Sequence, residues 1–115
     1  MSFERACGLA EVPDDEGFAV TVGGIDVAIA RDGDEAFAVQ DLCTHAAVPL
    51  SEGEVADCQI ECWLHGSRFD LRTGKPTGPP AVDPVATFPV EIRAEDDGPA
   101  VYVDVTTTLN GVQPD

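Results

Sequence analysis

A chain of 115 residues that carries 22 acidic and only six basic side chains has a formal charge of −16. This balance argues against nucleic acid as a partner, because phosphate binding requires clustered cations. The length fits one domain, and the sequence has no apolar run of the length that a signal peptide or a membrane span requires. We therefore expect a soluble, cytoplasmic protein with no membrane partner.

The first third of the sequence predicts short strands joined by glycine turns. Two runs rich in β-branched residues, 18–22 and 25–31, flank the pair Gly23 and Gly24. Such a pair tolerates the positive φ angles of a tight hairpin turn, so a β-hairpin is expected here. An extended piece is also expected at 3–6, a turn with one helical turn at 8–13, and a strand at 36–40.

The later part predicts more short strands and one rigid loop. Four prolines in nine residues at 76–84 cannot pair as a central strand, and this stretch is expected to lie over the surface. A last hairpin is expected from 85–93 and 100–105, and the tail from Thr106 onward is expected to fray. Three shorter extended segments are expected at 53–55, 59–61 and 67–71.

Many short strands with a turn every eight to twelve residues are typical of an all-β fold. The expected architecture is an antiparallel β-sandwich or small barrel in one domain, residues 1–115. A smaller subdomain is predicted at about 41–80, where the β pattern is interrupted. It would be inserted into a basal β domain formed by about 2–40 and 81–105.

The interrupting stretch contains two short motifs of metal-ligating residues. Cys43-x-His45 is followed by sixteen residues and then by Cys62-x-x-His65, and these are the only two histidines of the chain. Thiolate and neutral imidazole bind zinc, iron or copper. Each motif pairs one Cys with one His, whereas structural zinc sites usually pair like with like. The pattern therefore favours two irons gripped side by side, and zinc remains the alternative.

This pattern resembles that of the Rieske family, which has C-x-H, a spacer of similar length and C-x-x-H. The run HGSRFDLRTGK that begins at His65, and the later GPP at 78–80, also look like the segment that follows the second motif in small Rieske ferredoxins. The resemblance covers essentially the whole chain. It implies a Rieske-like β fold and a [2Fe-2S] cluster, with Cys43 and Cys62 on the buried iron and His45 and His65 on the outer one.

The resemblance also has consequences for the reduction potential of the cluster. Two thiolates and two neutral imidazoles leave the oxidised site uncharged, so Rieske potentials lie at about −150 to +300 mV, above the plant-type clusters. High-potential members carry a disulfide between the loops, where this chain has Val48 and Leu64, and a Tyr where it has Phe69. Only Ser67 keeps a hydroxyl that can donate to sulfur. We therefore expect a potential in the lower half of the range.

The sequence also contains a proline, a tryptophan and two further cysteines whose roles the motifs do not define. Pro79 belongs to the proline loop, which in the family covers one side of the cluster. Trp63 is compatible with a core position or with an exposed docking contact beside the cluster. Cys7 and Cys58 match no ligand position and are expected to be plain thiols, although the sequence is also compatible with a bridge between them.

The chain has no further histidines to build a second, catalytic iron site, so the resemblance implies an electron carrier and not an enzyme. It would pass electrons from an NAD(P)H-dependent flavin reductase to the terminal oxygenase of an aromatic-ring dioxygenase, docking transiently with each. One alternative is the same carrier in another pathway, such as iron–sulfur assembly or a monooxygenase. A second is a zinc-stabilised interaction module. The acidic excess fits a solvated surface, a steering field for basic partners, or both.

Overall fold

The computed structural model describes residues 2–44, 48–64, 66–79 and 81–114. In this part of the chain, ten strands form three antiparallel sheets, and two short 3-10 helices lie between strands. No helix among these residues is long and apolar enough to cross a membrane. The strands are β1 (Glu4–Gly8), β2 (Phe18–Val22), β3 (Ile25–Asp32), β4 (Glu35–Gln40), β5 (Val55–Ala56), β6 (Gln59–Glu61), β7 (Arg68–Asp70), β8 (Thr87–Phe88), β9 (Val90–Glu95) and β10 (Gly98–Val103).

The three sheets are formed by different parts of the sequence. One has the order β2-β3-β4-β8, a second has the order β1-β10-β9, and a third has the order β5-β6-β7. The 3-10 helices occupy Leu9–Glu11 and Leu50–Glu52. The third sheet is formed entirely from residues between 55 and 70, in the stretch that contains the second metal-ligating motif.

Strand β3 separates two hydrophobic cores. Successive side chains of a strand point to opposite faces, and here Val27 and Ile29 pack into one core while Ala28 and Ala30 pack into the other. The first core joins the β2-β3-β4-β8 sheet to the β1-β10-β9 sheet. The second joins the opposite face of β3 and β4 to the β5-β6-β7 sheet and contains Cys43 and Cys62. The small sheet therefore shares a core with the larger one.

The predicted hairpin between β2 and β3 is confirmed. Residues pair from Phe18 with Ile29 to Val22 with Ile25. Both turn residues, Gly23 and Gly24, have positive φ, at 57° and 80°, as a two-residue type I′ turn requires.

The predicted single strand at 85–93 is wrong. It divides at Pro89, which lies between β8 and β9, and the two pieces join different sheets. Proline has no N–H to donate to a ladder, so it ends one pairing where the next begins. The hairpin of β9 and β10 around Asp96 and Asp97 forms as expected.

The expectation that the tail frays from Thr106 onward is wrong. The Leu109 backbone N–H donates to the Thr87 carbonyl at 2.8 Å, and the Asn110 amide donates to the carbonyls of Thr73 and Val85 at 2.9 and 2.7 Å. Backbone carbonyls that lack a partner in a strand or helix need another donor. The Asn110 amide supplies one to each of two loops and so holds the tail against them.

Candidate metal centre

The first ligand loop runs from the end of β4 to the 3-10 helix at Leu50–Glu52. The Cys43 N–H donates to the Val48 carbonyl at 2.9 Å, which closes the loop on itself. At the base of the loop, the Asp41 carboxylate accepts hydrogen bonds from the Ser51 N–H at 2.7 Å and the Ser51 hydroxyl at 2.8 Å. Hydrogen bonds to a charged acceptor are the stronger kind, so this clamp fixes the two ends of the loop against each other.

Gln40 joins the same loop to the larger sheet. Its buried side chain donates from Nε2 to the Leu42 carbonyl at 3.1 Å and accepts at Oε1 from the Ala86 N–H at 2.9 Å. The last residue of β4 therefore sets the direction in which the chain leaves toward Cys43.

The second ligand loop connects β6 to β7. The Cys62 N–H donates to the Ser67 carbonyl at 2.6 Å, and the Gly66 N–H donates to the Cys62 carbonyl at 2.9 Å. Gly66 has a φ of 79°, a left-handed conformation that glycine adopts without a steric penalty. Each loop is thus closed by a bond from the Cys N–H to the carbonyl five residues further on.

The two loops bring their thiols into one buried environment. Cys43 and Cys62 are 3% and 0% exposed and belong to the same core cluster, together with Phe69. A buried thiolate is costly unless a cation compensates its charge, and metal coordination deprotonates a thiol. Two shielded thiols in one core therefore fit an iron–sulfur cluster.

The histidines of both motifs, His45 and His65, lie outside the described residues. Among the residues that are described, no group of three or more His, Cys, Asp or Glu side chains is arranged to hold a metal ion.

The proline loop, residues 76–84, contacts both ligand loops. The Ala81 N–H donates to the buried Ser67 hydroxyl at 3.1 Å, and the Thr44 hydroxyl donates to the Asp83 carbonyl at 2.8 Å. Pro79 lies exposed on this loop, whereas Ala81 is buried in the core cluster that holds the two thiols. The proline loop is thus hydrogen-bonded to both ligand loops, and the roles of Ser67 and Pro79 beside the cluster stay predictions.

Trp63, between Cys62 and His65 in the sequence, is exposed and not a core residue. Half of its surface is accessible to solvent, and the adjacent Leu64 is also exposed. The core position that the sequence also allowed for Trp63 is therefore wrong, and its role as a docking contact stays a prediction.

The two remaining cysteines are free thiols in separate parts of the fold. Cys7 lies in the core between the two larger sheets, and its burial raises the pKa of the thiol to about 11. Cys58 packs at the edge of the other core, and burial again raises its pKa. The bridge between Cys7 and Cys58 that the sequence would allow is not formed.

Sequence reasoning missed the residues that hold the ligand loops in place, chiefly Gln40, Asp41 and Thr44. Asp41 and its partner Ser51 are ten residues apart, and Thr44 lies 39 residues from Asp83. No local spacing marks such contacts. The one available signal is that Gln40 and Asp41 are polar residues between a hydrophobic strand and a ligand motif.

Comparison with known proteins identifies the class. The family model for the Rieske [2Fe-2S] domain matches residues 2–89, so the chain belongs to the Rieske family. The expected β fold and a Rieske-type [2Fe-2S] cluster follow, which decides between iron and zinc in favour of the iron–sulfur cluster.

Within this family the chain is similar to ferredoxins. It is 41% identical over 97 residues to the biphenyl dioxygenase ferredoxin subunit of Pseudomonas sp. strain KKS102, an alignment that covers 84% of this chain and 89% of the relative. The solved structure of the Sphingomonas yanoikuyae B1 ferredoxin superposes with a TM-score of 0.80 at 35% identity, and covers 90% of this chain and 98% of that one.

A third match is a chain in the complex of reduced oxygenase and oxidized ferredoxin in carbazole 1,9a-dioxygenase. It has a TM-score of 0.73 at 32% identity and covers 88% of this chain and 91% of that chain. Ferredoxin subunits are electron-transfer components and not catalytic subunits. This confirms the expectation that the chain carries electrons and is not itself an enzyme.

Proposed function

We propose that this protein is a one-electron carrier that passes electrons from an NAD(P)H-dependent flavin reductase to the terminal oxygenase of an aromatic-ring dioxygenase in the cytoplasm. The observation that carries the proposal is the similarity to dioxygenase ferredoxin subunits, which for the biphenyl enzyme's subunit covers 84% of this chain and 89% of the relative. The similarity to a chain in an oxygenase and ferredoxin complex supports the oxygenase as one partner. The reductase is inferred from the need for an electron donor.

The proposed ligands are Cys43 and Cys62 for the buried iron and His45 and His65 for the outer iron. When bound, the cluster supplies reversible one-electron chemistry with an uncharged oxidised state. The burial of both thiols in one core supports the assignment. We place the ligands in a subdomain of about 41–80, inserted in a single domain whose basal part is about 2–40 and 81–105.

Ser67 is proposed to tune the cluster. Its oxygen accepts the Ala81 N–H at 3.1 Å inside the core, and its own O–H is then available to donate toward the side of the thiols. Hydrogen bonds to cluster sulfur stabilise the more negative, reduced state. Phe69, fully buried in the same core cluster, has no group to donate, which supports a potential in the lower half of the Rieske range.

Three uncharged segments form the proposed docking face. Residues 42–51, 62–67 and 76–82 contain no Asp, Glu, Lys or Arg, in a chain in which 24% of residues are charged. Among the described residues, three of the five exposed large hydrophobic side chains lie on these segments, namely Trp63, Leu64 and Val82. An uncharged apolar face suits a small, transient electron-transfer contact, because no charge must be desolvated there.

The acidic body around this face is proposed to steer the carrier to basic surfaces on its partners. Five of the six cations of the chain are already paired with a carboxylate: Arg5, Arg31, Arg68, Arg72 and Arg93. The net charge of −16 is therefore carried by acidic side chains outside these five pairs. Long-range attraction of this kind raises association rates and weakens as salt increases.

The experiment that tests the proposal begins with the purified protein. Two irons and two labile sulfides per chain, with a Rieske-type paramagnetic signal on reduction, are expected, and the same signal should be absent from Cys43→Ala and His65→Ala variants. Reduction by a dioxygenase reductase and reoxidation by its oxygenase should follow. A cluster that is reduced but not reoxidised by any dioxygenase oxygenase would assign the carrier to another pathway.

Trp63→Ala tests the docking face. It should slow electron transfer to the oxygenase at limiting concentration while leaving the midpoint potential unchanged. Ile92→Ala is the matched control, because Ile92 is an exposed hydrophobic residue on β9, outside the three uncharged segments. Equal effects of the two substitutions would refute the proposed location of the docking face. Separately, an electron-transfer rate that does not change with salt concentration would refute the proposed electrostatic steering.

A further inference from the structure

The proline loop is held at both ends by backbone hydrogen bonds. The Thr77 N–H donates to the Arg68 carbonyl at 2.8 Å, and the Val85 N–H donates to the Gly74 carbonyl at 2.9 Å. Both acceptors lie in or just after β7, so the ends of the loop are fixed to the strand that follows the second ligand loop. The middle of the loop needs separate contacts to be held over the candidate centre.

Two hydrogen bonds in the described residues supply these contacts, and one goes to each ligand loop. The Ser67 hydroxyl of the second loop accepts the Ala81 N–H at 3.1 Å. The Thr44 hydroxyl of the first loop donates to the Asp83 carbonyl at 2.8 Å. Ala81 is buried in the core with both thiols, whereas Val82 between the two contacts is 79% exposed. The loop thus turns Val82 outward to solvent between its attachments to the two ligand loops.

A covalent link between the ligand loops is not available in this sequence. Cys43 and Cys62 are the only cysteines in the two loops, and both are proposed cluster ligands. We propose that Thr44 is a positioning residue that latches the first ligand loop to the proline loop, so that the proline loop braces the two ligand loops non-covalently. This inference rests on the proposed function through the assignment of the ligands.

The latch has a specific physical consequence. Without the Thr44 hydroxyl, the first loop loses its bond to Asp83, while the bond of the second loop through Ser67 is retained. The proline loop can then separate from the side of Cys43 and admit water and small chelators to the centre. The environment of the cluster should change as well, since solvent exposure is one of the determinants of the reduction potential.

The test compares three variants of the full chain loaded with its cluster. Thr44→Val removes the hydroxyl at nearly constant volume, and Thr44→Ser restores it. Thr77→Val is the matched control, because the Thr77 hydroxyl also donates to a carbonyl, that of Arg68, but the Thr77 backbone N–H holds the same carbonyl. The measurements are the rate of cluster bleaching in excess EDTA, the midpoint potential and the paramagnetic spectrum.

Thr44→Val should lose its cluster about fivefold faster than the wild type, the factor that one hydrogen bond of ordinary net strength implies, and its midpoint potential should shift. Thr44→Ser and Thr77→Val should behave as the wild type in both. A Thr44→Val protein with wild-type bleaching and potential overturns the latch.

The ligand assignment fails separately, if the wild-type protein itself binds no iron and sulfide. If Thr44→Val does not load the cluster at all, Thr44→Ser decides the result. Loading of the Ser variant supports the hydroxyl, and failure of both variants overturns it.

Discussion

The two ligand loops are closed in the same way but are anchored differently. In each, the Cys N–H bonds to the carbonyl five residues further on, from Cys43 to Val48 and from Cys62 to Ser67. The second loop connects β6 and β7, whose residues pair with each other from Gln59 to Glu61. The first loop leaves β4 and is held by side chains, chiefly those of Asp41 and Gln40.

This difference determines which substitutions would disturb each loop. A strand ladder uses backbone groups that every residue except proline carries, so single substitutions in β6 or β7 leave it in place. A side-chain clamp disappears when one residue is replaced. The geometry at Cys43 therefore depends on a few polar residues, whereas the geometry at Cys62 depends on the hairpin as a whole.

The largest effect is expected for Asp41→Ala, which removes the side-chain clamp of the first ligand loop. The variant loses both hydrogen bonds to Ser51 and leaves the buried Ser51 hydroxyl without its acceptor. Bonds to charged acceptors contribute about 1.5 to 3 kcal/mol each, so the free energy of unfolding should fall by about 3 kcal/mol. Iron content after purification should fall too. Denaturant titration and iron analysis measure the two effects.

Asp70→Ala is the control for this substitution. The Asp70 carboxylate also accepts two N–H groups, those of Arg72 and Thr73, at 2.7 and 3.1 Å. It caps the turn after β7 and not a ligand loop. The control should lose stability but keep its iron, and equal loss of iron in both variants would show that the clamp at Asp41 is not specific to the first loop.

A smaller effect, confined to the reduction potential, is expected for Phe69→Tyr on the side of the second loop. Phe69 lies in β7 and is buried in the core with both thiols. A hydroxyl added there can donate toward sulfur and stabilise the reduced state, so the midpoint potential should rise. Protein-film voltammetry or a redox titration measures it.

Phe88→Tyr provides the comparison for Phe69→Tyr, because Phe88 is equally buried but lies in the core between the two larger sheets. Its hydroxyl should leave the potential unchanged. An unchanged or lowered potential in Phe69→Tyr would mean that position 69 does not face the cluster.

Much of the fold follows from local patterns in the sequence. The alternation of β2 and β3 and the glycine pair between them predict a hairpin because both depend on neighbouring residues. The division at Pro89 also has a local signal, the missing N–H of proline, and the expectation of one strand overlooked it. The anchored tail has none, since Asn110 bonds to Thr73 and Val85, far away in the sequence.

The candidate site likewise has features with a local sequence signal and features that depend on residues distant in the sequence. The spacing of Cys and His predicts a metal centre because ligand chemistry restricts which residue types can serve. The contacts that position these residues join segments that are distant in sequence, as Thr44 and Asp83 are. Only the folded chain brings such partners together, so their identity could not be predicted from the motif.

The smallest effect is expected for Glu35→Gln, which removes an ion pair between β4 and the turn that follows the second loop's hairpin. Arg72, two residues after β7, donates to both oxygens of Glu35 on β4, at 3.0 and 3.2 Å. Unlike the Asp41 clamp, this pair is more than half exposed, at 54% and 60%. Exposed ion pairs contribute little and are screened by salt, so only a slight loss of stability and no loss of iron are expected.

The pH dependence of the stability difference tests whether the ion pair of Glu35 and Arg72 is its cause. The hydrogen bond from Arg72 lowers the pKa of Glu35 below its ordinary value of 4.5. A carboxylate with a lowered pKa stabilises the fold above its unfolded-state pKa, and this contribution is lost as the pH falls through the folded-state value. The difference between wild type and Glu35→Gln should therefore be present at pH 7 and vanish in acid or in high salt. A difference that persists in both would mean that Glu35 stabilises the fold through packing and not through its charge.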